Sequence, residues 1–307
     1  MELFFLGTGA GSPSRERNVT SIALDLAAER GKMWLFDCGE GTQHQILKTS
    51  LKLSRLEYLF VTHLHGDHIY GIPGLLTSRS YQGGDAPLTL FGPPGLRSYV
   101  EHVLQASYAQ LDYELIIEEI SPGIVMEDEQ FTVEADVLEH RIESYGYRIT
   151  EKPKPGKLLS DRLKEAGLPP GPLYGEIKNG NDVKLPDGRI LKASDYVMAP
   201  KEGRIVTILG DTRVCAGSRR LSHQADVLVH EATFAGDKAD LAYKYYHSTS
   251  EEVAKMAQEQ QVKTLVMTHI SSRYQGTDVE RLLDEARKYI KNAYVARDFW
   301  SFPIPSK

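Results

Sequence analysis

The sequence predicts an α/β protein in which two β-sheets pack face to face and helices cover them from outside. Three observations carry that expectation. Strand-like runs separated by helical stretches occur in both halves of the chain. Residues of ligand type follow four of those runs: His63, His65, Asp67 and His68 after residues 56–61, His140 just beyond 131–137, Asp211 after 206–210, and His269 after 265–268. A segment dense in Pro and Gly, residues 151–192, separates the two halves.

Taken in order, residues 2–6 read as a short apolar strand turned by Gly7, Gly9 and Gly11. Those glycines fall short of a G-x-G-x-x-G fingerprint, and loop chemistry follows at 12–18 where a helix would be required, so a dinucleotide site is rejected. Residues 20–26 and 32–37 alternate as strands, and 42–53 turns helical. The apolar run 56–61 delivers the histidine cluster; a helix starts near Gly74, a strand covers 87–91, a helix 96–108 and a strand 113–120. Residues 123–138 predict a hairpin, and 144–149 the next strand. Beyond 192 the strand 204–210 leads to Asp211 and the strand 225–229 to His230 and Glu231. A helix at 250–260, a strand at 264–268, a helix at 279–290 and a final strand at 293–302 close the chain.

Bulk properties narrow the class. A chain of 307 residues with 41% hydrophobic and 25% charged residues has the composition of a soluble globular protein with an adequate core. No run reaches the 18 or so apolar residues of a membrane span, and the N-terminus lacks the basic start of a signal peptide. Two cysteines, Cys38 and Cys215, make no disulfide framework, so a reducing cytoplasm is the expected location. A net charge of −6 argues against wholesale coating by nucleic acid. The 151–192 segment nevertheless carries nine basic against six acidic residues, a local balance of +3. Compact domains seldom hold so long a stretch without a task for it, and it reads as an inserted arm on a single domain of residues 1–307.

The histidine cluster points to metal. Three imidazoles and a carboxylate lie within six residues, directly after a buried run. His63 and His65 are two apart and project to one side of an extended segment, while Gly66 lets the chain turn so that Asp67 and His68 face a second point. That spacing suits two ions better than one. With Asp211 as a bridge, His63, His65 and His140 complete one set and Asp67, His68 and His269 the other. Nitrogen and oxygen donors in this mix suit zinc, or manganese or iron in its place.

The run His63-Leu64-His65-Gly66-Asp67-His68, with His140, Gly210-Asp211-Thr212 and His269, resembles the metallo-β-lactamase superfamily. The His247-Ser248-Thr249 turn, the Phe5-Leu6-Gly7-Thr8-Gly9 start, the His230-Glu231-Ala232-Thr233-Phe234 stretch and the inserted arm bring it nearest to the ribonuclease Z family. The resemblance runs over almost the whole chain. It implies an αββα sandwich holding two zinc ions per subunit and an endonuclease that trims the 3′ end of precursor transfer RNA. It also implies that the arm grips the RNA and that the protein is a homodimer whose arms serve each other's sites. The family's P-x-K-x-R loop corresponds to Pro13-Ser14-Arg15-Glu16-Arg17, where an arginine replaces the lysine and keeps the charge for phosphate contact.

Phosphodiester cleavage needs a base at the attacking water, for which the resemblance implies Asp67, and a proton donor at the leaving 3′ oxygen, for which His247 is the candidate. Arg273 is a candidate phosphate contact and His230 a candidate support for a ligand; His44, His102 and His223 receive no role. A hydrolase of small esters, lactones or sulfates would share the motif without needing the arm. A metal-stabilised RNA-binding module would need no spare proton donor.

Overall fold

The structure is a computed structural model and describes residues 1–154 and 156–307; Pro155, inside the 151–192 segment, lies outside the described residues. The chain divides into two compact units, one of Met1–Thr150 with Ile205–Pro305 and one of Glu151–Arg204 with Ser306–Lys307.

The larger unit contains two seven-stranded sheets. The first runs, in spatial order, Ser301–Pro303, Glu2–Gly7, Ser21–Leu26, Lys32–Phe36, Leu56–Phe60, Leu88–Gly92 and Leu115–Glu119. The second runs Ala293–Val295, Leu265–Thr268, Val227–Glu231, Ile205–Leu209, Ser144–Glu151, Phe131–Leu138 and Gly123–Glu127. Strand alternation sorts each strand's residues into two apolar layers. Phe5, Leu24, Trp34, Phe36 and Phe60 of the first sheet meet Phe131, Tyr147, Ile149, Val206 and Val229 of the second in a shared central core. The intervening residues face outward: Leu35, Leu59 and Val61 pack under Leu75, Leu76 and Val100, while Leu228, Leu265 and Met267 pack under Val253, Met256 and Leu282. Helices such as Ile72–Tyr81 and Leu96–Ala106 cover the first sheet, and Ser250–Glu259 and Asp278–Arg287 the second. This is the αββα sandwich.

Two contacts fix the sheets where the metal-type residues emerge. The Tyr147 hydroxyl donates to the Val61 carbonyl at 2.6 Å, and the Tyr145 amide donates to the Thr62 carbonyl at 2.9 Å. The second sheet is therefore hydrogen-bonded to the first sheet immediately before His63.

Several boundaries differ from the sequence reading. The final strand is two: Ala293–Val295 belongs to the second sheet and Ser301–Pro303 to the first, with Phe299 in the left-handed region (φ 64°) between them. The helical stretch at 42–53 shortens to Thr42–Ile46, and the strand expected at 225–229 is Val227–Glu231, which takes His230 and Glu231 into the sheet. Helices Gly66–Ile69, Ala216–Ser222 and Ala239–Tyr245 were not anticipated.

The smaller unit extends past residue 192 to Arg204 and holds its own buried cluster of Leu163, Leu168, Ile177, Val183, Leu185 and Leu191. Helices Ser160–Glu165 and Leu173–Lys178 and the hairpin Val183–Lys184 with Ile190–Leu191 supply it. Its ends are joined by a buried pair: Arg204 Nε donates to Glu151 Oε2 at 2.7 Å and Nη2 to Oε1 at 3.0 Å. Burial opposes the Glu151 charge, but the Arg204 and Lys154 hydrogen bonds outweigh it and hold the carboxyl down at about 2. Among the described residues, no helix is long and apolar enough to cross a membrane.

Candidate metal centre

Close approach of backbone to side chain builds the site. A Cβ on Gly66 would lie 2.2 Å from the exposed Tyr70 ring, which would have to swing aside for any larger residue there; the short helix Gly66–Ile69 separates Asp67 and His68 from His63 and His65. A Cβ on Gly210 would lie 2.6 Å from that of Thr62. Its absence lets the end of the strand Ile205–Leu209 come against the histidine segment and puts Asp211 beside His63. The strand Leu265–Thr268 ends at His269, whose φ of 54° is in a region that a non-glycine residue adopts only when its surroundings hold it there.

The structure brings His63, His65, Asp67, His68, His140, Asp211 and His269 together. His63, His65 and His140 offer ligand atoms within 4.8 Å of one another; so do Asp67, His68 and His269, and so do His63, His68 and Asp211. Asp211 faces both sets, with Oδ2 at 3.8 Å from His63 Nε2, 3.9 Å from His140 Nε2 and 3.3 Å from His269 Nε2, and Oδ1 at 3.6 Å from His68 Nε2.

Four of the imidazoles are fixed by the nitrogen that faces away from the centre. His63 Nδ1 donates to Thr62 Oγ1 at 3.0 Å, a hydroxyl that itself donates to Asp37 at 2.8 Å. His68 Nδ1 donates to Asp37 at 2.7 Å, His140 Nδ1 to the Tyr246 carbonyl at 3.0 Å, and His269 Nδ1 to Thr233 Oγ1 at 3.0 Å. Each therefore turns Nε2 inward, as a metal-ligating imidazole with an outer partner does. His65 turns Nδ1 inward, 3.0 Å from His63 Nε2 and 3.2 Å from His140 Nε2.

These contacts test whether a cation fits. Burial pushes His63, His65 and His140 below the usual histidine range, so neutral lone pairs face each other. One proton cannot satisfy three converging nitrogens; a cation between them can. His68 Nε2 is buried with no hydrogen-bond partner, 3.5 Å from Asp67 Oδ2. His269 Nε2 lies 3.4 Å from the same oxygen. Donors on a tetrahedron of radius about 2.1 Å stand about 3.4 Å apart, which is the spacing found here and is long for a hydrogen bond. Burial disfavours charge on Asp67, but the adjacent His269 and His68 rings outweigh it and keep it ionised. Asp211 is likewise held low, against its burial, by His269 and His68. The residues present fit divalent cations.

His247 stands at the edge of the set. Its Nδ1 donates to Glu231 Oε1 at 2.7 Å. Burial lowers its proton affinity, but the Glu231 carboxylate outweighs that and pushes it up to about 9. Glu231 is buried and accepts from the Thr212 and Thr233 amides, both at 3.1 Å, so it cannot swing away. Asp37 and Glu231 are the supports that sequence reasoning did not single out. The available signal was a carboxylate at the end of a buried strand, twice. His230, expected to support a ligand, instead donates to the Glu231 carbonyl at 2.7 Å, because strand alternation turns it to the opposite face from Glu231. Arg15 is exposed, whereas Arg17 is buried and donates to Thr8 Oγ1 and the Ala296 carbonyl, both at 2.6 Å, so only Arg15 of that pair offers its charge to solvent. Arg273 is exposed on the loop that follows His269.

Comparison with known proteins gives three kinds of match. A family model described as Anti-Pycsar protein Apyc1 matches residues 1–143, the part that carries the first four candidate ligands and His140 but not Asp211, His247 or His269. The chain is 53% identical over 307 residues to a protein named Ribonuclease Z from Anoxybacillus flavithermus, covering 100% of this chain and 98% of that relative. It is 53% identical over 305 residues to a Ribonuclease Z from Geobacillus kaustophilus, covering 99% of each. Among solved structures, the short form of human tRNase Z superposes with a TM-score of 0.73 at 31% identity, covering 99% of this chain and 100% of that one. The metallo-β-lactamase fold protein YhfI from Bacillus subtilis superposes with a TM-score of 0.68 at 17% identity, covering 98% of each chain, which speaks for the fold alone.

Proposed function

The chain belongs to the ribonuclease Z family, and from that premise we propose that it is a zinc-dependent endoribonuclease that removes the 3′ trailer from precursor transfer RNA. The products are a 3′-hydroxyl on the transfer RNA and a 5′-phosphate on the trailer. One observation carries the proposal: four imidazoles pinned at Nδ1 turn Nε2 toward a common centre that Asp67 and Asp211 also face.

In this reading His63, His65 and His140 would hold one zinc ion and Asp67, His68 and His269 the other, with Asp211 facing both sets. Such ions would activate water at neutral pH and offset the charge that grows on phosphorus. Asp67, held in place by the Gly11 amide at 2.8 Å, orients the attacking water and takes its proton. His247, protonated at neutral pH because Glu231 faces it, donates to the leaving 3′ oxygen. Arg15, exposed on the Pro13–Arg17 loop, meets backbone phosphate, and the segment from residue 151 to Arg204 grips the RNA. The protein acts in the cytoplasm as a homodimer.

The test is a cleavage assay on a precursor transfer RNA together with metal analysis of the purified protein. Two zinc ions per chain, a single cut at the 3′ side and loss of cutting in Asp67→Ala are expected. An Asp67→Ala enzyme of full activity removes that residue from the mechanism, and a metal-free protein that still cuts overturns the whole reading. Sedimentation at micromolar concentration tests the dimer.

A further inference from the structure

Arg141 and Tyr245 line the same cleft as His65, Asp67, His140 and His247, and neither belongs to the candidate ligand set. Arg141 follows His140 in the chain, and Tyr245 precedes His247 by two residues. Tyr246 brings them together: it ends the helix Ala239–Tyr245 in the left-handed region (φ 62°), and its carbonyl accepts from His140 Nδ1 at 3.0 Å. The Arg141 guanidinium then sits 5.1 Å from the centre of the Tyr245 ring, with the Lys244 ammonium 5.7 Å from the same ring.

Arg213, close by, shows what a satisfied arginine looks like. It pairs with Glu139 at 2.9 Å and lies 3.7 and 3.8 Å from the rings of Tyr243 and Tyr246. Arg141 has no carboxylate partner among the described residues, and its side chain's hydrogen bond, to the Lys244 carbonyl, spans 3.5 Å. Tyr245 is 39% exposed. An arginine whose charge is not neutralised, beside a partly open ring at a cleft that receives RNA, has what a nucleotide needs. The ring offers a face for a base, and the planar fork pairs two donors with a phosphate.

We propose that Arg141 and Tyr245 clamp the nucleotide that carries the leaving 3′ oxygen, the last one kept on the transfer RNA. The assignment rests on the reading of His247 as proton donor to that oxygen, since the His247 and His140 rings are 5.2 Å apart and the clamp adjoins both. In-line displacement puts the attacking water on the far side of phosphorus. A second groove, lined by Gly11, Pro13, Gly66 and Tyr70, opens on Asp67. Stacking tolerates any base, which suits substrates that differ at this nucleotide.

The experiment compares wild-type enzyme with Tyr245→Ala, Tyr245→Phe and Arg141→Ala on three precursors: intact, abasic at the nucleotide 5′ to the cut, and abasic at the nucleotide 3′ to it. Zinc content and melting temperature serve as folding controls. On the intact precursor Tyr245→Ala should lose roughly 10- to 100-fold in kcat/KM, and Tyr245→Phe should recover most of that loss. Wild-type enzyme should lose a similar factor on the 5′-abasic precursor, and there the Tyr245→Ala difference should vanish while persisting on the 3′-abasic one. Equal wild-type rates on intact and 5′-abasic precursors overturn the clamp even if the variants do not fold. A difference that vanishes on the 3′-abasic substrate instead overturns the choice of nucleotide. Wild-type enzyme that leaves the intact precursor uncut overturns the parent reading and the clamp with it.

Discussion

His247 depends on one partner. Glu231 both aims the ring, by accepting a hydrogen bond from its Nδ1, and keeps it charged. If His247 delivers a proton to the leaving oxygen, its value depends on how badly that oxygen needs one. A ribose 3′ alkoxide is a poor leaving group, while nitrophenolate leaves unaided. His247→Ala should therefore lose about 10²- to 10⁴-fold in kcat on precursor RNA and far less on bis(p-nitrophenyl) phosphate. Equal losses on both substrates would make the residue a structural support. Along the chain, a histidine beside Ser248 and Thr249 was recognisable from its motif, but the roles of Glu231 and Asp37 were not. Glu231 meets His247 across sixteen positions, and Asp37 adopts a φ of 57° to reach Thr62 and His68. A one-dimensional pattern carries neither the meeting nor the backbone angle.

Among the elements, long apolar runs were legible and short helices were not. Gly66–Ile69 spans four residues and Ala239–Tyr245 seven, too few turns for a helical period to emerge. The final strand could not be seen as two, because both pieces are apolar and only pairing assigns them to different sheets. Charge and Pro/Gly content marked the inserted segment, while its end at Arg204 is set by the pairing of Thr150 with Ile205 in adjacent antiparallel strands. That pairing makes a clean deletion feasible: residues 152–203 replaced by a two-residue Asn-Gly turn between Glu151 and Arg204. The shortened protein should keep its zinc and its hydrolysis of a small chromogenic phosphodiester, and should bind precursor transfer RNA at least tenfold more weakly. An equal fall in both activities would give the segment a structural role only.

Across the whole molecule, the candidate ligands come from both sheets: His63, His65, Asp67 and His68 follow a strand of the first, and His140, Asp211 and His269 follow strands of the second. Ions bound among them would tie the sheets together and stabilise only the folded state. Chelation should lower the melting temperature by roughly 8–16 °C, from about 4 kcal/mol of binding at a thousandfold excess over Kd and about 2–4 °C per kcal/mol for a unit of this size. Zinc should restore it, and an unchanged melting temperature would show that no ion bridges the sheets. The sequence by itself determined the residue types of the site, their position after strands and the two-sheet plan, because each of these is written in local alternation and in which residue follows an apolar run. The tertiary structure alone decided which carboxylate orients which imidazole, which arginine of the Pro13–Arg17 loop is spent on Thr8 and Ala296, and which one at the cleft keeps its charge. Those outcomes depend on distances between segments 200 residues or more apart along the chain, such as Asp67 and His269 at 3.4 Å, and packing sets such distances where sequence spacing does not.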